Sequence, residues 1–107
     1  MKNDIFLQKT PNVRNGIEWE IDKDNIVTLK TERNGIMSKL LKKTKYSYIR
    51  LDELGSFVWG QLDGKSDIYT IGKKTEDKFG EKTTPLFERL IKYLKILESY
   101  KLIYWVK

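Results

Sequence analysis

The stretch LDELGSFVWGQLDG, residues 51–64, decides the fold of this chain. Asp52 is a typical N-cap residue, apolar side chains follow it at helical spacing, and Gly64 suits the position just after a helix. The stretch therefore predicts a first helix over residues 52–63. Trp59 lies on the flank of the apolar stripe, and we expect it in the core.

Two more helices are expected after this one. Ser66 can cap a second helix that runs to residue 79, with Gly72 at a point where a neighbouring backbone can approach closely. Thr84 as N-cap and a proline at the first helical position begin a third helix that runs to residue 101. The apolar residues 102–106 form either a last helical turn or a short strand.

Before residue 51 the hydrophobic pattern is that of strands. Ile17, Trp19 and Ile21 alternate with acidic residues, which predicts the first strand of a hairpin over residues 17–30. A third strand, residues 45–51, is rich in aromatic and β-branched residues, and its alternation places Tyr46, Tyr48 and Arg50 on one face.

These elements together predict one α+β domain over residues 1–107. A three-stranded antiparallel sheet in residues 17–51 precedes a three-helix part, residues 52–107. Residues 1–16 are polar and contain turn signals, so we expect a flexible N-terminus.

A basic insertion, residues 31–44, interrupts the sheet. Residues 30–50 hold seven basic side chains against Glu32, a net charge of +6, and the rest of the chain sums to zero. Within the insertion a two-turn helix is expected. It either covers one end of the core or offers a basic amphipathic contact to a partner or membrane surface.

The composition excludes several classes of function. The chain has no cysteine and no histidine, so it lacks disulfides, thiolate chemistry, the usual zinc ligands and an imidazole base. We therefore expect a protein that is not an enzyme and has no metal or cofactor of its own. No apolar run reaches about 18 residues, so we expect no membrane span and a cytoplasmic location.

The third helix carries more apolar surface than a core requires. Leu90, Leu94 and Leu97 form the expected core stripe. Further apolar positions flank this stripe: Phe87 and Ile91 on one side, and Tyr93, Ile96 and Tyr100 on the other. Such an arc is roughly twice the width of an ordinary core stripe. Part of the helix is therefore expected to face a groove, unless so small a protein buries it on most sides.

The order of these motifs resembles that of the PqqD family. The resemblance covers residues 51–103: LDELG with Val58-Trp59, then LDGK, an Ile-spaced helix up to KFG, and a Leu-rich helix from Leu86 to Leu102 followed by Ile103. The family comprises small winged-helix proteins, among them the peptide chaperone of pyrroloquinoline quinone biosynthesis and recognition elements for ribosomally synthesised precursor peptides. The resemblance therefore implies a winged helix-turn-helix-like fold for this chain.

The resemblance implies a non-catalytic chaperone that binds the leader of a precursor peptide by strand addition and presents it to a modifying enzyme of the radical S-adenosylmethionine (SAM) type. The leader would lie between the third strand and the third helix, where an unpaired edge offers hydrogen-bonding groups and pockets read alternate side chains. The residues expected to line this groove are Lys45, Tyr46, Tyr48, Arg50, Arg89, Lys92, Tyr93 and Ile96.

Two other functions stay open at this stage. A winged-helix protein of net charge +6 can bind DNA, but the start of the third helix reads Pro85-Leu86-Phe87-Glu88, which offers nothing basic to a base edge or a phosphate. Nucleic acid is therefore an unfavoured partner. The other alternative is a structural or interaction module, including a homodimer that pairs its own edge strand.

Overall fold

The computed structural model describes the backbone of residues 2–33, 45–80 and 84–106, and side chains in residues 5–31, 47–80 and 84–106. The helices and strands, in chain order, are α1 (Lys2–Leu7), β1 (Thr10–Val13), β2 (Glu18–Ile21), β3 (Val27–Arg33), β4 (Lys45–Arg50), α2 (Glu53–Trp59), α3 (Ile68–Phe79), α4 (Leu86–Ser99) and β5 (Ile103–Val106). The predicted α+β class, with a three-stranded antiparallel sheet before three helices, is confirmed. None of the described helices is long and apolar enough to cross a membrane.

The main sheet has the strand order β2-β3-β4, so β3 lies in the middle and β2 and β4 are the edges. Trp19 pairs with Leu29, which in turn pairs with Ile49, and these three residues share one face. Leu29 is fully buried, so this face is the one that meets the helices. The strand β3 extends to Arg33, into the predicted insertion, while the helix expected within the insertion lies outside the described residues.

A side-chain cap begins α2, and the side chains of Ser56 and Trp59 attach this helix to the sheet. The carboxylate of Asp52 accepts a 2.6 Å hydrogen bond from the N–H of Gly55, which confirms the predicted N-cap. The buried hydroxyl of Ser56 accepts a 2.8 Å hydrogen bond from the N–H of Val27 in β3. Trp59 is buried as predicted, and its ring packs edge-to-face on Trp19.

The helix α2 ends at Trp59, four residues earlier than predicted, because residues 60–66 form turns instead of another helical turn. In these turns the carboxylate of Asp63 accepts hydrogen bonds from the N–H groups of Lys65 and Ser66. The predicted cap Ser66 is therefore wrong by one residue. Asp67 caps α3, and its carboxylate accepts from the N–H of Thr70 at 2.8 Å.

The helix α4 carries the predicted core stripe, since Leu90, Leu94 and Leu97 are all buried. It begins at Leu86, and Pro85 occupies the N-cap position without a side-chain hydrogen bond, so the predicted cap Thr84 is wrong. The helix ends at Ser99, shortly before Lys101, whose φ of 61° reverses the chain. The undecided segment that follows is the strand β5.

The N-terminal segment, for which the sequence predicts flexibility, contains a helix and a strand. The strand β1 pairs antiparallel with β5, with Thr10 opposite Val106. On its other side, Val13 N–H donates to the carbonyl of Leu62, and the N–H of Gly64 donates to the carbonyl of Pro11. Because β1 has partners on both sides and Pro11 is fully buried, this strand is an interior part of the fold.

Candidate functional site

The outer edge of β4 offers unpaired backbone groups. Residues directly opposite each other in an antiparallel pair alternate between hydrogen-bonded and non-hydrogen-bonded pairs. The N–H of Leu51 donates to the carbonyl of Val27, opposite it, at 2.8 Å. Hydrogen-bonded pairs recur every second residue, so Ile49 also bonds to β3. Tyr48 and Arg50 lie in the pairs between, and their N–H and C=O groups point away from β3. Among the described residues, no strand pairs with this edge.

The side chains of β4 divide between the two faces of the sheet. Ser47 and Ile49 share the face of the buried Leu29 and are partly buried. Tyr48 lies on the opposite face and is 67% exposed, and Arg50 lies beside it and forms a 3.1 Å ion pair with Asp22. The alternation predicted from the sequence is confirmed, with the tyrosine face turned away from the helices.

A cavity of about 120 Å³ lies where β4 leads into α2. Leucine and valine side chains supply much of its lining, and polar groups of α2, α3 and α4 complete it. The lining residues are Asp52, Leu54, Gly55, Val58, Thr75, Leu86, Arg89, Leu90 and Tyr93. Apolar pockets with a few polar groups are typical of ligand sites, and this one has the size of a single side chain.

Tyr93 connects α4 to the first turn of α2. Its half-buried phenol donates a 3.0 Å hydrogen bond to the carbonyl of Gly55. Burial raises the pKa of Tyr93 above its ordinary value, and the nearby carboxylate of Asp52 raises it further, so the phenol stays neutral. A Cβ at position 55 would lie 3.0 Å from Oδ1 of Asp52 and 3.3 Å from the Tyr93 hydroxyl, so this contact favours glycine.

Tyr93 belongs to a stripe of side chains that runs along the flank of α4. Arg89, Tyr93, Ile96 and Tyr100 recur at spacings of four, three and four residues, so they form one stripe beside the core stripe. Arg89 and Tyr93 line the cavity, while Ile96 and Tyr100 are largely exposed. The helix thus carries an apolar stripe beyond the core, as its sequence predicts.

Six of the eight predicted site residues have described side chains, and these six fall on three surfaces. Arg89 and Tyr93 lie in the cavity, Tyr48 and Arg50 on the outer face of the sheet, and Lys92 and Ile96 in a shallow depression on α4 beside Ile91 and Lys95. Lys45 and Tyr46 belong to β4 by their backbone, and their side chains lie outside the described part. The structure thus does not bring the six described side chains into one concavity. The cavity and the edge strand meet at Asp52, two residues after the end of β4.

Sequence reasoning missed most of the cavity wall. Leu54 and Leu86 are predicted as ordinary apolar helix positions, and Asp52 as a helix cap, yet all three line the cavity. The sequence does hold one signal of this site: Gly55, a poor helix former, lies in the first turn of the predicted helix. In the described part of the chain no cluster of three or more acidic side chains could hold a metal ion.

Comparison with known proteins identifies the family. The sequence model described as coenzyme PQQ synthesis protein D (PqqD) matches residues 27–103, which include β3, β4 and the three helices α2, α3 and α4. Neither the search of curated proteins nor the search of solved structures gives a significant match. The matched region covers more than half of the sequence and contains both the edge strand and the cavity. The chain therefore belongs to the PqqD family.

Proposed function

We propose that this chain is a non-catalytic peptide-binding protein that captures the leader of a ribosomally synthesised precursor as an added strand on the β4 edge. It then presents the precursor to a modifying enzyme, of the radical SAM type. The observation that carries the proposal is the open edge of β4, where Tyr48 and Arg50 direct backbone groups outward, next to a cavity that begins at Asp52.

An added strand would have its alternate side chains on the two faces of the sheet. Those on the helix side would lie near Ile49 and the stripe of α4, and one of them could enter the cavity beside Tyr93. Those on the other side would lie beside Tyr48 and Arg50. The predicted site residues then contact the same peptide from two faces, although they share no single concavity.

The positive charge of the predicted site also favours an acidic leader peptide as its ligand. Leader peptides of this kind are commonly acidic, and the four basic residues of the predicted site are Lys45, Arg50, Arg89 and Lys92. Opposite charges speed association and exclude basic competitors more than they increase affinity. The main source of affinity would be the backbone hydrogen bonds of the edge and the apolar contact with α4.

The structure offers no comparable support for DNA binding. The first residues of α4, which would read base edges in a winged-helix protein, make contacts within the protein. Leu86 lines the cavity, and Phe87 packs over Gly72.

Amide hydrogen exchange on the ¹⁵N-labelled protein tests the proposal. The peptide to add is the leader of a short precursor peptide, sought among the open reading frames beside the gene. At saturation, the amides of Tyr48 and Arg50 should become protected from exchange, because they would donate to the added strand. The amide of Ile49 should be protected with and without the precursor, since it already donates to β3, and it serves as the internal control. If Tyr48 and Arg50 exchange at the same rate with and without bound precursor, the leader does not add to β4.

A further inference from the structure

The second edge of the main sheet, β2, has an unusual exposure. Trp19 and Ile21 point to the same face as their opposite residues in β3, Leu29 and Val27. Leu29 and Val27 are 0% and 1% exposed, whereas Trp19 and Ile21 are 45% and 55% exposed. The helices therefore cover β3 but leave much of β2 uncovered in the described structure, and the two apolar side chains form a ledge beside the core.

The backbone of the same two residues faces outward. The N–H of Asp22 donates to the carbonyl of Ile26, opposite it, at 3.0 Å, so this is a hydrogen-bonded pair. By the alternation of antiparallel pairs, Glu20 bonds to β3, and Trp19 and Ile21 direct their N–H and C=O groups to the open side. The edge and the apolar ledge are thus formed by the same residues.

This edge is acidic, although the chain as a whole is basic. Residues 18–24 contain four acidic side chains and Lys23, which gives a net charge of 1 − 4 = −3. Glu18 forms a 3.2 Å ion pair with Lys30, and Asp22 one of 3.1 Å with Arg50. Glu20 is exposed between them, and no partner for its carboxylate is found in the described part of the chain.

We propose that the edge of β2 is a second docking surface, which takes an extended segment of a protein partner with alternating apolar and basic residues. Its backbone would bond to Trp19 and Ile21, its apolar side chains would cover the ledge, and a basic side chain would lie opposite Glu20. A second copy of β2 is a poor occupant, since antiparallel pairing would bring the acidic side chains of both copies together.

The two edges of the sheet can be occupied together, because β3 separates them. The proposal for β2 does not depend on leader binding at β4. A chain with both edges filled would hold a precursor and a partner protein at opposite sides of one sheet.

NMR titration of the full ¹⁵N-labelled chain tests this proposal. The probe is the blocked peptide VKVKVKV, and the blocked peptide VEVEVEV is its charge-reversed control. With the lysine peptide we expect amide shifts centred on Trp19 and Ile21, and with the glutamate peptide none there. Equal shifts with both peptides, or shifts confined to Tyr48 and Arg50, would show that β2 is not the docking edge.

Variants test the residues that the proposal names. Glu20→Lys should weaken binding of the lysine peptide by about tenfold, because repulsion replaces attraction across the strands. Ile21→Thr should also weaken it, since apolar surface is lost while a β-branched residue remains. Asp77→Lys on α3 is the matched control, because it makes the same charge change at an exposed position on another element. All variants should melt like the wild type. An unchanged affinity of Glu20→Lys would overturn the proposal.

Discussion

The ring of Phe87 lies where any other residue at position 72 would place its Cβ. A Cβ built on Gly72 would lie 2.4 Å from Cε1 of Phe87, which is closer than two carbon atoms can approach without movement. Tyr69 stacks against this ring, with the two planes 7° apart. The sequence predicts a close approach at Gly72, but the neighbour is a side chain of α4 instead of a backbone.

Gly72→Ala is therefore expected to destabilise the protein. Alanine improves helix propensity by about 1 kcal/mol, but overpacking against Phe87 costs about 1–3 kcal/mol, so the net effect should be a loss. Urea unfolding of this variant measures it, with Gly60→Ala as a control, because the nearest atom to a Cβ there is 3.5 Å away. If Gly72→Ala is as stable as the wild type, the contact with Phe87 does not limit position 72.

Ser56→Ala should destabilise the protein by about 1–3 kcal/mol. The change removes the hydroxyl that accepts from Val27 N–H and leaves that buried donor without its partner. Thermal and urea unfolding check the prediction, and Ser99→Ala, at an exposed position, is the control. Equal stability of the two variants would mean that Val27 finds another acceptor.

Tyr48→Pro should abolish binding of the leader and leave the fold intact. Its N–H points to the open edge, so proline removes a donor for the added strand and none from the β3 ladder. Tyr48→Val, which keeps the N–H, should still bind, and Ile49→Pro should unfold the strand. Calorimetric titration and thermal melts measure these outcomes. Leader binding by Tyr48→Pro as tight as that of Tyr48→Val would argue against strand addition at β4.

Stability should fall more steeply at alkaline pH in the wild type than in Tyr93→Phe. The pKa of Tyr93 is raised in the folded protein, so its neutral phenol stabilises the fold fully below the unfolded pKa of about 10. This stabilisation is lost as the pH rises above that value towards the folded pKa. Urea midpoints at pH 9 and pH 11 provide the comparison, and parallel losses in both proteins would contradict the raised pKa.

Local signals predicted much of the fold. Alternation around Trp19 predicts the hairpin, and the Asp52 cap predicts the start of the first helix. Both features depend on residues that are close in sequence. The start of α3 was missed by one residue. Asp67 and Ser66 are both good cap residues. In the structure Ser66 belongs to the turn around Asp63, and Asp67 caps the helix.

Long-range contacts explain what the sequence did not predict. The strand β1 is polar and contains Pro11, and it forms because β5, more than 90 residues later, lies beside it. For the site, alternation placed Tyr48 and Arg50 on one face correctly. Which face of a strand meets the helices depends on how the whole sheet packs, so one strand could not reveal that Tyr48 is turned away from α4.

The strand β1 is part of the folded domain, yet it lies outside the residues that match the family. The family match, residues 27–103, excludes α1, β1, β2 and all but one residue of β5. A protein trimmed to these residues would lack the strand that bonds to Leu62 and Gly64 and covers that end of the core. Without β2 it would also present the edge of β3 to other molecules, and such open edges promote aggregation.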